Sequence, residues 1–190
     1  KSGMLANADV VAVVADVLDE FKVPNYVLDP VLLSKSRAAL LDESAVDCMV
    51  KRQKRGYLFM TGDELPYPQL SKHVVDSVIG DRLDDDLSAE EIVAELQKTF
   101  IPFFIIPDQT RAGRCERRWR DLLGDNVLVM DAPVDVCFVT AGAILLNEGR
   151  AASLEELSKI LTEAGLPADR QKQVIQTLTP FAEVVLNTRS

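Results

Sequence analysis

Four apolar runs in this chain each close on an aspartate: Tyr26-Val27-Leu28-Asp29, Tyr57-Leu58-Phe59-Met60-Thr61-Gly62-Asp63, Phe103-Phe104-Ile105-Ile106-Pro107-Asp108 and Val127-Leu128-Val129-Met130-Asp131. Short continuous apolar runs separated by segments of helical period read as parallel strands buried on both faces. The alternation predicts an α/β fold, a parallel sheet of about four or five strands flanked by helices. In such a sheet the C-terminal strand ends share one rim, and ligands bind along it. Carboxylates gathered there suit a divalent cation, because hard cations take oxygen ligands. Aspartate after a strand is equally a common helix N-cap. The pattern therefore speaks more clearly to fold than to function.

Between the strands the period becomes helical. Asn7 caps a segment running to about Phe21, with Val10, Val11, Val14 and Leu18 on one face. Glu43 to Arg52 reads as a helix whose cationic end, Lys51, Arg52, Lys54 and Arg55, complements the dipole. A helix from about Ser71 to Ile79 is expected to turn Val74, Val75, Val78 and Ile79 inward, and Asp84-Asp85-Asp86 is a solvated loop. Ser88 with Glu91 forms a capping box ahead of Ile92, Val93, Leu96 and Phe100. A basic helix over 111–123 and an apolar one over 135–148 follow. Beyond Gly149, Ser153 with Glu156, Gly165 and Pro167 mark a helical hairpin over 151–190. Its apolar stripe is expected to dock on the sheet or on a second copy, since two short helices are marginal alone.

The 190 residues are nearly half apolar and carry a formal charge of −9. That charge argues against non-specific binding to nucleic acid or anionic membranes. No apolar run reaches the ~20 residues of a membrane span, and no secretory signal occurs. Cys48, Cys115 and Cys137 have no metal-ligand spacing and read as reduced thiols, which implies a cytoplasmic setting. The chain enters an apolar phrase directly at Lys1, as if cut from something longer. An unpaired edge strand would promote self-association.

The phrase Lys1-Ser2-Gly3-Met4-Leu5-Ala6, a helix, and then Val23-Pro24-Asn25-Tyr26-Val27-Leu28-Asp29-Pro30-Val31-Leu32-Leu33-Ser34-Lys35-Ser36 resembles hydroxymethylpyrimidine (phosphate) kinases, ribokinase-like enzymes of thiamine synthesis. Leu40-Leu41 and Ser44-Ala45-Val46 continue the likeness to about residue 47. The resemblance implies that Met4 and Val31 line a pyrimidine pocket. It also places Asp29 near the phosphate and magnesium region, with ATP as phosphate donor. No Gly-Thr-Gly-Cys anion hole occurs in the chain, so it is expected not to turn over alone.

From about Cys48 to residue 150 other phrases resemble the second half of a bacterial von Willebrand factor A-type domain. They are Lys54-Arg55-Gly56-Tyr57-Leu58-Phe59-Met60-Thr61-Gly62-Asp63-Glu64-Leu65-Pro66-Tyr67, Ile79-Gly80-Asp81, Arg118-Trp119-Arg120-Asp121-Leu122-Leu123-Gly124 and Val127-Leu128-Val129-Met130-Asp131. Such domains carry a metal-ion-dependent adhesion site built from three loops. The resemblance implies that Asp63 is the third-loop aspartate, although Thr-Gly-Asp replaces the usual Thr-Asp-Gly order. The first two loops have no counterpart here. A weak magnesium or other divalent-cation site centred on Asp63, with Asp29 or Asp108 beside it, is the expectation. The chain thus reads as a join of two α/β pieces near residue 47. A natural fusion, a mis-assembled reading frame and a deliberate chimera fit equally.

Two function classes stay open. One is a protein-binding module of the von Willebrand A type with an unidentified partner. The other is a fragment of a hydroxymethylpyrimidine/phosphomethylpyrimidine kinase. Arg111, Arg114 and Arg118 share a helix face that suits a phosphate or an acidic partner, or that pairs with the chain's own carboxylates. His73 has no ligand-spaced neighbour, and Trp119 reads as an anchor.

Overall fold

A computed structural model describes residues 53–78 and 82–188. Met4, Asp29 and Val31, the strand expected at 26–29 and the helices expected over 7–21 and 43–52 lie outside them. The described chain runs β1 (Gly56–Thr61), β2 (Gln69–Leu70), α1 (Lys72–Val78), β3 (Leu87–Ser88), α2 (Ala89–Thr99), β4 (Phe100–Ile106), α3 (Gln109–Leu123), β5 (Val127–Val129), α4 (Val136–Asn147), α5 (Leu154–Glu163) and α6 (Ala168–Asn187).

Among these residues β1, β4 and β5 form a parallel sheet in the order β1-β4-β5. β4 sits in the middle and needs apolar side chains toward both faces, which explains its uninterrupted Phe-Ile-Pro-Phe-Phe-Ile-Ile run. Its register pairs Phe59 with Phe103 on one side and Phe104 with Val127 on the other. Successive β4 residues serve opposite layers. Phe103 and Ile105 join Leu128, Met130 and the apolar side chains of α4, α5 and α6. Phe104 and Ile106 join Ala112, Cys115 and Leu123 of α3, with Val93 of α2 against them. Helices therefore cover both faces of an α/β sheet.

The hairpin of α5 and α6 belongs to the larger of these two layers. Leu157, Leu161, Val174, Leu178 and Phe181 are buried in the same cluster as Phe103 and Ile105. Phe181 meets Phe103 edge-on at 5.1 Å, which carries the aromatic row Tyr57–Phe59–Phe103 onto α6. Gly142 of α4 lets these helices approach. A Cβ there would lie 2.5 Å from Leu178 Cδ1 and 3.5 Å from Leu157 Cδ2.

Local signals behave largely as the residues dictate. Ser88 and Glu91 form the reciprocal capping box of α2. Ser153 caps α5 through the Glu156 amide, but the Glu156 carboxylate returns to the Ala152 amide rather than to Ser153. Gly165 takes φ +81 after α5, a conformation that favours glycine. Pro167 is the N-cap of α6, one position ahead of its first turn.

Four expectations change. Val74 is half exposed while Val75 is buried, because α1 presents only a narrow stripe to the other described residues. Lys54 and Arg55 are themselves non-helical, while the helix expected over 43–52 lies outside the described residues. They lead into β1, where Lys54 pairs with Glu148 at 3.0 Å and Arg55 donates to the Gln97 carbonyl. Phe100 lies outside α2 as its C-cap, donating its amide to the Leu96 carbonyl, and at the same time opens β4 with its side chain buried. After the exposed Asp84–Asp86 stretch, the two-residue strand β3 pairs antiparallel with β2. Strands that short leave no periodicity to read. No described helix is long and apolar enough to cross a membrane.

Candidate functional site

The C-terminal ends of β1, β4 and β5 lie side by side and bring Asp63, Asp108 and Asp131 to one rim. Parallel pairing fixes this arrangement and extends beyond the strands. The Gly62 amide donates to the Ile105 carbonyl at 3.1 Å, and the Met130 amide to the Ile106 carbonyl at 2.9 Å. Gly62 also passes over the Phe104 ring, where a Cβ would sit 3.3 Å from Cζ. The absence of a side chain eases that close approach, one residue ahead of Asp63.

Each rim carboxylate has its own surroundings. Asp63 is ion-paired with Arg111 in the first turn of α3. That hydrogen bond and the Asp63 charge raise the Arg111 pKa. Asp108 is the N-cap of α3, accepting from the Thr110 amide at 2.8 Å and the Thr110 hydroxyl at 2.7 Å. Those hydrogen bonds, with a smaller contribution from Arg111, hold the Asp108 carboxyl below the usual range. Asp131 is exposed.

The loop after β1 is tied down further along α3. The Trp119 indole donates to the Glu64 carbonyl at 2.9 Å and stacks on Phe104 at 3.9 Å with planes 13° apart. Trp119 thus serves as an anchor, the role read for it from the sequence. The anchored loop projects Leu65 and Tyr67 into solvent, Tyr67 at 87% exposure.

Beyond β5, Asp135 is 3% exposed and accepts from Arg170 Nε at 2.8 Å, which joins the start of α4 to α6. Sequence reasoning did not single out this pair. Its partners are 35 residues apart, and no local pattern links them. The neighbouring cleft between Met130, Asp135 and Val174 is too tight for a water molecule.

The sequence-stated metal set divides accordingly. Asp63 and Asp108 follow adjacent strands, whereas Asp29 lies outside the described residues. No group of three or more His, Cys, Asp or Glu side chains is placed to hold a metal among the described residues. Arg111 already supplies a positive charge to Asp63, and Asp108 spends its Oδ1 on its own helix. These residues alone do not fit a divalent cation. His73 is exposed on α1. Cys115 and Cys137 are buried free thiols whose pKa values are raised, chiefly by burial.

Residues 1–56 match the phosphomethylpyrimidine kinase family. The chain is also 30% identical over 131 residues to a hydroxymethylpyrimidine/phosphomethylpyrimidine kinase of Haemophilus influenzae. The match covers 69% of this chain and 44% of that relative, so the chain spans less than half of the relative's length. A match that long within 190 residues runs through β4 and α3 whichever end it starts from. No solved structure matches the chain. The kinase likeness is therefore supported, and the family match extends past residue 47 to residue 56.

Proposed function

We propose that this chain is the pyrimidine-binding portion of a hydroxymethylpyrimidine/phosphomethylpyrimidine kinase-type protein. The supporting observation is the family match over residues 1–56, which contains both Met4 and Val31. The likeness of β4 and α3 to the Haemophilus influenzae kinase supports the same reading for the sheet. ATP and magnesium are the co-substrates that this reading implies. Phosphoryl transfer depends on positioning and on charge stabilisation around the phosphates. No Gly-Thr-Gly-Cys phrase occurs in the 190 residues, so these residues bind without turning over. The test is thermal unfolding of the purified chain with hydroxymethylpyrimidine and with an unrelated pyrimidine. A rise in midpoint specific to the first is expected; equal midpoints for both refute the reading.

A second reading, a protein-binding module of the von Willebrand A type, draws on a different observation. The rim carries Asp63, Asp108 and Asp131 after the three parallel strands, and Leu65 and Tyr67 stand exposed shortly after Asp63. Under this reading a divalent cation would have to displace Arg111 from Asp63, so binding is weak. Calorimetry with magnesium, manganese and calcium tests it, and tight binding unchanged by Asp63→Ala would rule it out.

A further inference from the structure

We infer that the outer face of α3 is a docking surface for an acidic protein segment, recognised through Arg114 and Arg117. α3 carries Arg111, Arg114, Arg117, Arg118 and Arg120 against only Glu116 and Asp121, within a chain of charge −9. Three of these arginines have internal partners: Arg111 with Asp63, Arg118 with Glu90 and Arg120 with Glu116. Arg114 and Arg117 are exposed and have no ion-pair partner among the described residues.

Helix electrostatics do not account for Arg114. Cations are favoured in the last turn of a helix and disfavoured near its start. Arg114 lies in the first half of α3, whose first turn has no acidic residue. Arg114 and Arg117 are three residues apart and so project from the same side, with Cβ atoms about 5–6 Å apart. Gly113 beside them has nothing within 4 Å of a Cβ position, so the face is open. Two guanidinium forks at that spacing can each take a carboxylate bidentately from successive acidic residues of a partner.

Charge complementarity selects the occupant. Asp63 and Glu90 pair with Arg111 and Arg118, and Asp121 follows one turn after Arg117, which confines the positive field to a short patch. Exposed charges farther apart than about 8 Å are largely screened at physiological salt. A local cluster of Asp and Glu side chains fits that patch. A nucleic-acid strand would carry its evenly spaced phosphates past the patch into the acidic surroundings, whereas a short Asp/Glu cluster in a partner segment ends where the patch does.

The test is fluorescence anisotropy of a labelled oligoglutamate peptide with the full chain, beside a labelled oligothymidylate of equal length. Saturable oligoglutamate binding that weakens with salt is expected. Arg114→Glu/Arg117→Glu should weaken it by about tenfold or more, while Arg150→Glu, outside α3, leaves it unchanged. Should the charge-reversed chain lose its circular dichroism signature, Arg114→Gln/Arg117→Gln serves in its place. Undiminished affinity in the α3 variant overturns the inference, as does tighter binding of the oligothymidylate. Sedimentation supplies the remaining outcome. A dimer that only the α3 variant dissolves would make a second copy the occupant and overturn the acidic-partner assignment.

Discussion

The Asp63 carboxylate is ion-paired with Arg111, so the end of β1 is fastened to the first turn of the helix that follows β4. The pair sits at the rim where a parallel sheet offers its ligand sites. It gives Asp63 a counter-charge from within the chain. Under the von Willebrand A-type reading, Arg111→Met should leave Asp63 more open to cations, and divalent-cation binding should tighten relative to the unmodified chain. Calorimetry on both proteins reads this directly. Equal affinity would show that Arg111 does not compete for Asp63.

Trp119 is the single tryptophan, and it bridges α3, Phe104 and the Glu64 carbonyl. Trp119→Phe keeps an aromatic ring on Phe104 and loses only the hydrogen bond, whereas Trp119→Ala loses both. The alanine variant should cost about 2–3 kcal/mol and the phenylalanine variant about 1 kcal/mol. Chemical denaturation followed by circular dichroism checks the order; equal costs would place the energy in the hydrogen bond alone.

The three apolar runs within the described residues were legible as strands because burial on both faces leaves no alternation to confuse with a surface strand. The α5–α6 hairpin was legible from its caps and its stripe. The site was much less so. The sequence shows Asp63 and Asp108 ending their runs, but Arg111 is 48 residues from Asp63, and only the β1–β4 pairing brings them together. The exposure of Val74 was hidden for a related reason: a helical face is readable from period, while the width of what covers it is not.

Gly142 and Leu178 should show strong coupling. Leu178→Ala opens a cavity and should cost about 2–5 kcal/mol. Gly142→Ala gains helix propensity of about 1 kcal/mol but drives a methyl group into buried Leu178, for a smaller net loss. Combined, the two should cost clearly less than their sum, because the new methyl enters the space that Leu178 vacates. A double-mutant cycle by urea denaturation measures it, and strict additivity would contradict the packing.

Acid should loosen the helix starts first. The carboxyls of Asp108 and Glu91 are held below their ordinary values by cap hydrogen bonds, to Thr110 and to Ser88 respectively. A lowered folded-state pKa means stability that is fully present above the unfolded value, about pH 4, and is lost as pH falls through the lower folded value. Asp108→Ala and Ser88→Ala should each flatten the acid limb of a stability–pH profile and leave its shape near pH 7 unchanged. An acid limb as steep as that of the unmodified chain would remove these caps from the account.

The central claim is that the chain binds the pyrimidine of the kinase reaction through its N-terminal residues. Calorimetric titration of the purified 190-residue chain with hydroxymethylpyrimidine, alongside Met4→Ala and Val31→Ala, tests it most directly. The account predicts saturable binding that each substitution weakens, with no steady ADP formation when ATP and magnesium are added. Absence of binding, or binding indifferent to both substitutions, would contradict it.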